Sequence, residues 1–191
     1  MIGLFGGSFD PVHHGHLIAA QVAAETLELS EVRFVVAGEQ PFKRGRHGAT
    51  ALARVEMVAR AIAGSPGLAV ERCEVEREGP SYTVETLRLL REREPGREFV
   101  LLVGADAARE MPTWREGAVI PQLARVAAFA RPGEPRPEGL SHVWRIVDVP
   151  LVQISATAIR ERVAAGRPIR YWVPDAVAEY IAANRLYFTG L

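Results

Sequence analysis

The chain has 191 residues, 48% of them hydrophobic, so its length and composition suit a single domain that buries a sizeable core. Its 23 basic and 23 acidic side chains leave a formal net charge of +0, which argues against a general nucleic-acid or membrane-surface binder, because such proteins carry a basic excess. The single cysteine excludes a disulfide framework and predicts a small buried hydrophobic residue.

Apolar runs alternate with helical periodicities along the chain. In the first half we predict strands over 1–6, 32–38 and 68–76, and helices over 16–29, 51–64 and 81–94. In the second half we predict strands over 98–106, 125–133 and 143–150, and helices over 155–166 and 173–187. Pro174 suits the first turn of the last helix. The proline- and glycine-rich residues 131–139 suit an exposed loop within the domain.

This alternation predicts an α/β fold, a Rossmann-like doubly wound, mainly parallel sheet with helices on both faces. One domain is expected over 1–191, with a helical C-terminal part at about 154–191. Because such sheets bind ligands at the carboxyl ends of their strands, functional residues are expected directly after each strand. The sequence shows no signal-peptide pattern and no apolar run near the ~20 residues that cross a bilayer, so we expect a cytoplasmic protein with no membrane partner.

The first predicted strand is followed by a segment rich in glycine and histidine, GGSFDPVHHGH. Its glycines and the helix N-terminus that follows suit an anion such as phosphate, because they offer close backbone approach, unpaired N–H groups and partial positive charge. His13 and His16 are expected to face one side, whereas His14 points elsewhere. A zinc site is disfavoured, since no cysteine or carboxylate set stands at ligand spacing. A purely structural turn is the other alternative.

This segment resembles the H-x-G-H signature of the nucleotidyltransferase superfamily, within a G-[GT]-[ST]-F-D-P frame. His13, Gly15 and His16 occupy the signature positions. The resemblance implies adenylyl transfer from ATP, in which the signature binds phosphates and stabilises the transition state, with His13 and His16 as catalytic residues. Further ATP contacts are implied for Gly6, Gly7, Ser8 and Phe9.

A second segment, ISATAIRERV at 154–163, opens a predicted helix with Ser155 as its N-cap. Taken alone, it suits an ordinary capped helix with a solvated arginine. It resembles the superfamily's I-S-[ST]-x-x-[IV]-R element at Ile154, Ser155, Thr157, Ile159 and Arg160. The resemblance implies a second phosphate site, in which Ile154, Ser155 and Thr157 bind ATP and Arg160 is catalytic. Two helix N-termini would then hold one triphosphate.

Four further segments resemble bacterial nicotinate-nucleotide adenylyltransferases and occur in that family's order along nearly the whole chain. They are GPSYTVETL (79–87), GADAAREMPTWRE (104–116), ARPG (130–133) and VPDAVAEYIAANRLY (173–187). The resemblance implies a nicotinate-nucleotide site that comprises Ser81, Tyr82, Thr83, Trp114 and Arg131.

Within that implied site, Thr83 and neighbouring backbone groups would take the nicotinate carboxylate, and Trp114 would stack on the pyridine ring. Arg131 is a candidate phosphate contact. Gly104 and Asp106 are implied to bind ATP, with Asp106 near the ribose and the metal–phosphate region. From the residues alone, Trp114 suits a core position equally well, and Asp106 suits a helix N-cap.

The basic loop PFKRGRH (41–47) departs from the family pattern. Many members read P-P-H-K here, whereas this chain has Phe42 in place of the histidine and keeps Lys43. Lys43 is an expected phosphate contact, and Arg44 or Arg46 would supply a donor that Phe42 lacks. A solvated loop is the alternative.

The combined resemblance predicts transfer of AMP from ATP to nicotinate mononucleotide, which gives nicotinate adenine dinucleotide (deamido-NAD) and pyrophosphate in NAD biosynthesis. Mg²⁺ is the expected cofactor, brought with ATP, and no protein metal site or nucleic-acid partner is expected. The alternatives are the same transfer to nicotinamide mononucleotide, phosphopantetheine or riboflavin phosphate, and a non-catalytic nucleotide-binding module. The oligomeric state is open between a monomer and a homo-oligomer.

Overall fold

The computed structural model describes residues 1–38, 48–133, 135–136 and 138–188, and within them six strands form one sheet. The strands are β1 (Ile2–Gly7), β2 (Glu31–Val36), β3 (Leu68–Glu71), β4 (Phe99–Gly104), β5 (Arg125–Ala130) and β6 (Arg145–Asp148). Their order is β3-β2-β1-β4-β5-β6, and each of the five neighbouring pairs is parallel. The predicted parallel sheet is confirmed.

The helices connect these strands. They are α1 (His14–Thr26), α2 (Ala51–Ala61), α3 (Cys73–Glu76), α4 (Thr83–Arg93), α5 (Ala105–Glu110), α6 (Ile120–Leu123), α7 (Ala156–Ala164) and α8 (Asp175–Ala183), with 3₁₀ turns at Met111–Thr113 and Gly117–Val119. Within the described part of the chain, no helix is both long and apolar enough to span a membrane.

Two hydrophobic layers enclose the sheet, one on each face. Successive side chains of a strand point to opposite faces, so Phe5 of β1 joins the layer of α1, α2, α7 and α8, whereas Leu4 joins the layer of α4, α5 and α6. Strands buried on both faces read as continuous apolar runs, which is why β1, β2 and β4 stand out in the sequence. The prediction of helices on both faces is confirmed.

The strand order reverses direction between β1 and β4. From β1 the chain passes through α1 to β2 on one face, and from β4 it passes through α5 and α6 to β5 on the other. The two connections therefore diverge and leave a crevice at the carboxyl ends of β1 and β4, where such sheets bind ligands. Gly7 and Gly104 end these two strands.

Two predicted elements differ from the structure. Residues 68–76 were expected to be extended, but β3 ends at Glu71 and the chain turns into α3, because the Glu71 carboxylate accepts the Cys73 N–H at 3.0 Å. The last helix begins at Asp175 with Pro174 at its N-cap and ends at Ala183, whereas 173–187 was expected. Cys73 is 2% exposed, which confirms its prediction as a buried residue.

Candidate active site

Two adjoining cavities open at the crevice. The histidine cleft, of about 700 Å³, is lined by predicted ATP-site residues: Gly6, Gly7, Ser8, Phe9, His13, Gly15, His16, Gly104, Asp106, Ile154, Ser155, Thr157 and Arg160. The aromatic pocket, of about 430 Å³, is lined by the predicted nicotinate residues Ser81, Tyr82, Thr83 and Trp114. Gly6, Gly7 and Gly104 line both cavities, so the ends of β1 and β4 form their shared wall.

His13 and His16 lie at the start of α1 as a stacked pair. Their ring centroids are 3.7 Å apart, with an interplanar angle of 23°. The backbone N–H of His13, the N-cap residue, donates to Nδ1 of His16 at 3.3 Å. A neutral His16 therefore carries its proton on Nε2. His14 does not line either cavity, in keeping with its prediction as the residue between the functional pair.

Burial keeps both imidazoles uncharged near neutral pH. It lowers the pKa of His13 to about 4, with smaller contributions from the charges of Arg131 and His14. Burial also lowers the pKa of His16 well below its usual value, with help from His13 and Arg131. Both rings therefore enter the resting site as neutral N–H donors.

Gly15 allows the close packing beneath His13. A Cβ built at position 15 would lie 3.1 Å from Nδ1 of His13, which is tighter than an ordinary contact. Nδ1 itself is buried and has no hydrogen-bond partner among the described residues. The glycine of the H-x-G-H segment thus sets the distance between the first turn of α1 and the His13 ring.

Asp10, which the residue-level reasoning did not single out, anchors the loop that carries these histidines. Its side chain is 3% exposed. The carboxylate accepts the N–H groups of Gly48 at 2.7 Å and Ala49 at 3.1 Å, and the Tyr187 hydroxyl at 2.7 Å. Because these donors come from distant parts of the chain, Asp10 joins the loop after β1 to both the N-terminal end of the α2 region and the C-terminal tail.

Arg54 is a second buried anchor, 1% exposed on α2. Its guanidinium donates to the carbonyl of Ser8 at 2.8 Å and to the carbonyl of Gly38 at 3.1 Å. It therefore ties together the chain segments that leave β1 and β2. Its position in the strongly amphipathic helix 51–64 was the signal available in the sequence, since an arginine there falls among apolar core positions.

The second signature begins α7 as predicted. Ser155 is the N-cap, and its Oγ accepts the Ala158 N–H at 3.1 Å. Arg160 donates to the Thr157 hydroxyl at 3.1 Å and to the backbone carbonyl of Asp10 at 2.8 Å. The two signatures are therefore joined directly, and both helix N-termini border the same cleft.

Gly104 ends β4 on the shared wall of the two cavities, and Asp106 follows in α5 and lines the histidine cleft alone. Gly104, not Asp106, is the N-cap of α5. The Asp106 side chain is 91% exposed and pairs with Arg109 at 2.7 Å. A Cβ at Gly104 would meet no protein atom within 4 Å, so a side chain there would project into ligand space. No cluster of three potential metal ligands occurs among the described residues.

The aromatic pocket surrounds the start of α4. Tyr82 is the N-cap, its side chain makes no capping hydrogen bond, and both Tyr82 and Thr83, the first residue of the helix, line the pocket. The Arg115 guanidinium lies 4.6 Å from the Tyr82 ring centroid. Trp114 is half-buried, packing partly on the core and partly lining the pocket, so it combines the two positions that the sequence left open.

One predicted contact lies in the other cavity, and another is not described by the structure. Arg131 lines the histidine cleft and not the aromatic pocket, which separates it from the other four residues of the implied nicotinate site and places it beside His13. Lys43, together with Phe42, Arg44 and Arg46, lies outside the described residues. Glu74, which lines the aromatic pocket, was not predicted.

Comparisons with known proteins match this architecture. The family model described as cytidylyltransferase-like covers residues 4–162. The chain is 50% identical over 186 residues to a probable nicotinate-nucleotide adenylyltransferase of Thermus thermophilus, covering 97% of this chain and 98% of that protein. It is 45% identical over 197 residues to the probable nicotinate-nucleotide adenylyltransferase of Thermomicrobium roseum, covering 98% and 92%.

A solved structure shares the fold. Plasmodium falciparum nicotinic acid mononucleotide adenylyltransferase complexed with NaAD superposes with a TM-score of 0.79 at 18% identity, covering 97% of this chain and 96% of that one.

Proposed function

The chain belongs to the cytidylyltransferase-like family and, within it, to the nicotinate-nucleotide adenylyltransferases, and on that premise we propose that it transfers AMP from ATP to nicotinate mononucleotide. The products are nicotinate adenine dinucleotide and pyrophosphate, a step in NAD biosynthesis. The observation that carries this proposal is the pair of joined cavities. A cleft with two phosphate-binding helix starts opens, across Gly6, Gly7 and Gly104, into a pocket shaped by aromatic rings.

The reaction needs positioning and charge stabilisation more than proton transfer. A phosphate oxygen of nicotinate mononucleotide attacks the α-phosphorus of ATP, and the bond from that phosphorus to the oxygen bridging to the β-phosphate breaks in line with it. Because the attacking phosphate is already ionised, no general base is required. The histidine cleft has to align two anions and stabilise the charge that develops on the phosphate oxygens.

His13 and His16 supply that stabilisation as catalytic residues. As neutral imidazoles they are N–H donors, and a bound triphosphate would raise the pKa of each, because an adjacent negative charge favours the protonated form. Their hydrogen bonds therefore strengthen as charge accumulates. The lowered pKa of both rings in the free protein makes them donors without the cost of two buried positive charges.

The start of α7 suits the departing pyrophosphate. Ser155, Thr157 and Arg160 border the cleft opposite α1, and the helix N-terminus favours negative charge. Arg160 is held in place by its hydrogen bond to the carbonyl of Asp10, which limits its freedom before substrate binds. Lys43 and Arg131 stay predicted contacts to the remaining phosphate oxygens.

Mg²⁺ fits this site as part of the ATP substrate. The Asp10 carboxylate is buried and accepts hydrogen bonds from Gly48, Ala49 and Tyr187, whereas the Asp106 carboxylate is exposed at the cleft, pairs only with the partly exposed Arg109 among the contacts described, and would be the acidic side chain to hold a triphosphate-bound ion. The ion would neutralise phosphate charge when bound.

The proposal is tested by incubating the purified chain with ATP and nicotinate mononucleotide and measuring both products. Stoichiometric nicotinate adenine dinucleotide and pyrophosphate support it. The acceptors nicotinamide mononucleotide, phosphopantetheine and riboflavin phosphate are assayed in parallel. Faster turnover with any of them, or ATP binding without pyrophosphate release for every acceptor, would overturn the proposal.

A further inference from the structure

Two buried polar side chains support the aromatic pocket from behind. Glu74 is 9% exposed and Thr86 is 4% exposed. The Thr86 hydroxyl donates to Oε1 of Glu74 at 2.6 Å. Glu74 also lines the pocket, beside Ser81, Tyr82 and Thr83. The pair therefore lies between the pocket and the hydrophobic layer under α4.

Ser81 extends this pair into a three-segment junction. Its hydroxyl accepts the Gly38 N–H at 3.2 Å, and Ser81 lines the same pocket as Glu74. Gly38 is packed so tightly there that a Cβ would lie 2.2 Å from the Glu74 carbonyl oxygen. Glu74 thus joins the segment after β2 and the turn at α3 to the first turn of α4.

An acid at this position is unfavourable unless it has a specific role. Burial raises the pKa of Glu74, which the hydrogen bonds from Thr86 and Ser81 and the charge of Arg77 partly oppose. A carboxylate beside a pocket proposed to take the nicotinate carboxylate would also repel that ligand. Both difficulties are reduced if the Glu74 carboxylate is used to hold the Thr86 hydroxyl and not to contact the ligand.

We propose that Glu74 is a positioning residue for nicotinate-nucleotide binding, which acts through its hydrogen bond with Thr86 and the packing of Gly38 and Ser81 beside it to fix the first turn of α4 against the pocket. This inference rests on the proposed function and deepens it. The ring of the acceptor is then recognised by Tyr82, Thr83 and Trp114 only while the Glu74 junction holds that turn in place. ATP binding, which uses the histidine cleft, does not depend on the junction.

The test measures KM for both substrates in Glu74→Gln and Thr86→Val, which are close in shape to the native side chains. In each variant we expect KM for nicotinate mononucleotide to rise about tenfold, as the loss of one hydrogen bond to a charged group implies, and KM for ATP to change less than twofold. Thr86→Ser keeps the hydroxyl and should restore KM to within about twofold of wild type. Glu76→Gln, at an exposed position of the same α3 turn, is the matched control.

A purely structural role for Glu74 gives a different pattern. It would lower the unfolding midpoint and the active fraction, and hence the apparent kcat, while KM for nicotinate mononucleotide stays within twofold of wild type. That pattern, or an equal rise of both KM values, overturns the inference. Because KM does not depend on the concentration of folded enzyme, a partly destabilised variant still gives the readout. A wild-type chain without turnover on nicotinate mononucleotide contradicts the proposed function instead.

Discussion

The histidine cleft and the aromatic pocket share the glycines at the ends of β1 and β4, yet their walls are built differently. The cleft takes its ligand-facing groups from two helix starts, at α1 and α7, that are joined through Asp10 and Arg160. The pocket takes its groups from one helix start, at α4, and from the turn that carries Trp114. The proposed anion site thus consists of helix ends and imidazoles, and the proposed ring site consists of aromatic side chains on a supported turn.

Both cavities are backed by buried polar anchors. The five buried polar or charged residues of the described part of the chain divide between them: Asp10, His13 and Arg54 near the cleft, and Glu74 and Thr86 near the pocket. Elsewhere the core of the described chain is apolar. Burying a polar group costs free energy. This distribution therefore indicates that the anchors make the two cavities rigid.

The largest expected effect is on kcat, in a variant of the histidine cleft. His16→Ala removes an N–H donor to the transition state, so kcat should fall about 10³-fold, the loss typical of one oxyanion donor. The variant should still unfold cooperatively as a folded protein, because His16 lines the cleft and is not part of the hydrophobic core. Steady-state pyrophosphate release measures kcat; activity within a few-fold of wild type would show that His16 is not catalytic.

The buried neutral state of His13 should make the cleft acid-sensitive. The pKa of His13 is about 4 in the folded chain and about 6.5 when unfolded, so between these values the unfolded state binds the proton first. Stability should therefore fall by about 3 kcal/mol as the pH drops from 6.5 to 4.

His13→Asn keeps an N-cap residue and removes this titration. Urea unfolding should show that the free energy of unfolding falls less on acidification in the variant than in wild type. Between pH 7 and 8 the difference between the two proteins should stay constant. Equal acid sensitivity of the two proteins would contradict a buried, neutral His13 in the folded chain.

Tyr187 tests whether the cleft depends on an anchor that lines neither cavity. Tyr187→Phe removes one donor to the buried Asp10 carboxylate, and the free energy of unfolding should decrease by about 2 kcal/mol. KM for ATP should rise more than KM for nicotinate mononucleotide, because Asp10 also holds Arg160. Tyr171→Phe is the control, since Tyr171 is 82% exposed and its change should be near zero. Equal effects of the two substitutions would rule out the anchor.

Trp114 tests whether the aromatic pocket binds the acceptor independently of ATP binding in the cleft. Trp114→Ala removes a stacking surface, so KM for nicotinate mononucleotide should rise about tenfold, while KM for ATP stays within about twofold. Trp144→Ala, at the residue before β6 and outside both cavities, serves as the control. An equal rise of both KM values would show that the two cavities are not separable.

The elements that could be predicted from the sequence are those whose signals lie within a few neighbouring residues. β4 reads as a continuous apolar run because both its faces are buried, and its predicted range of 98–106 encloses Phe99–Gly104. The α7 cap at Ser155 was readable for the same reason, since a capping side chain and its N–H partner are three residues apart. The segment 68–76 was predicted less well, because a helical turn of four residues has no detectable period.

The buried polar anchors could not be predicted from single residues, because their hydrogen-bond partners are distant along the chain. Tyr187 and Asp10 are 177 residues apart, and Thr86 and Glu74 are 12 apart on different elements. A sequence pattern shows a buried acid only as a charge in a helix or loop. The available signal was indirect: Asp10 lies in the first family-like segment and Tyr187 ends the last one.

One measurement tests the division of labour most directly: the ratio of kcat/KM for nicotinate mononucleotide to that for nicotinamide mononucleotide, in wild type and in His16→Ala. If the histidine cleft performs the chemistry and the aromatic pocket selects the acceptor, wild type favours the nicotinate form, and His16→Ala lowers both values by orders of magnitude while keeping their ratio within about twofold. A ratio near one in wild type, or a ratio that collapses in His16→Ala, would contradict the account.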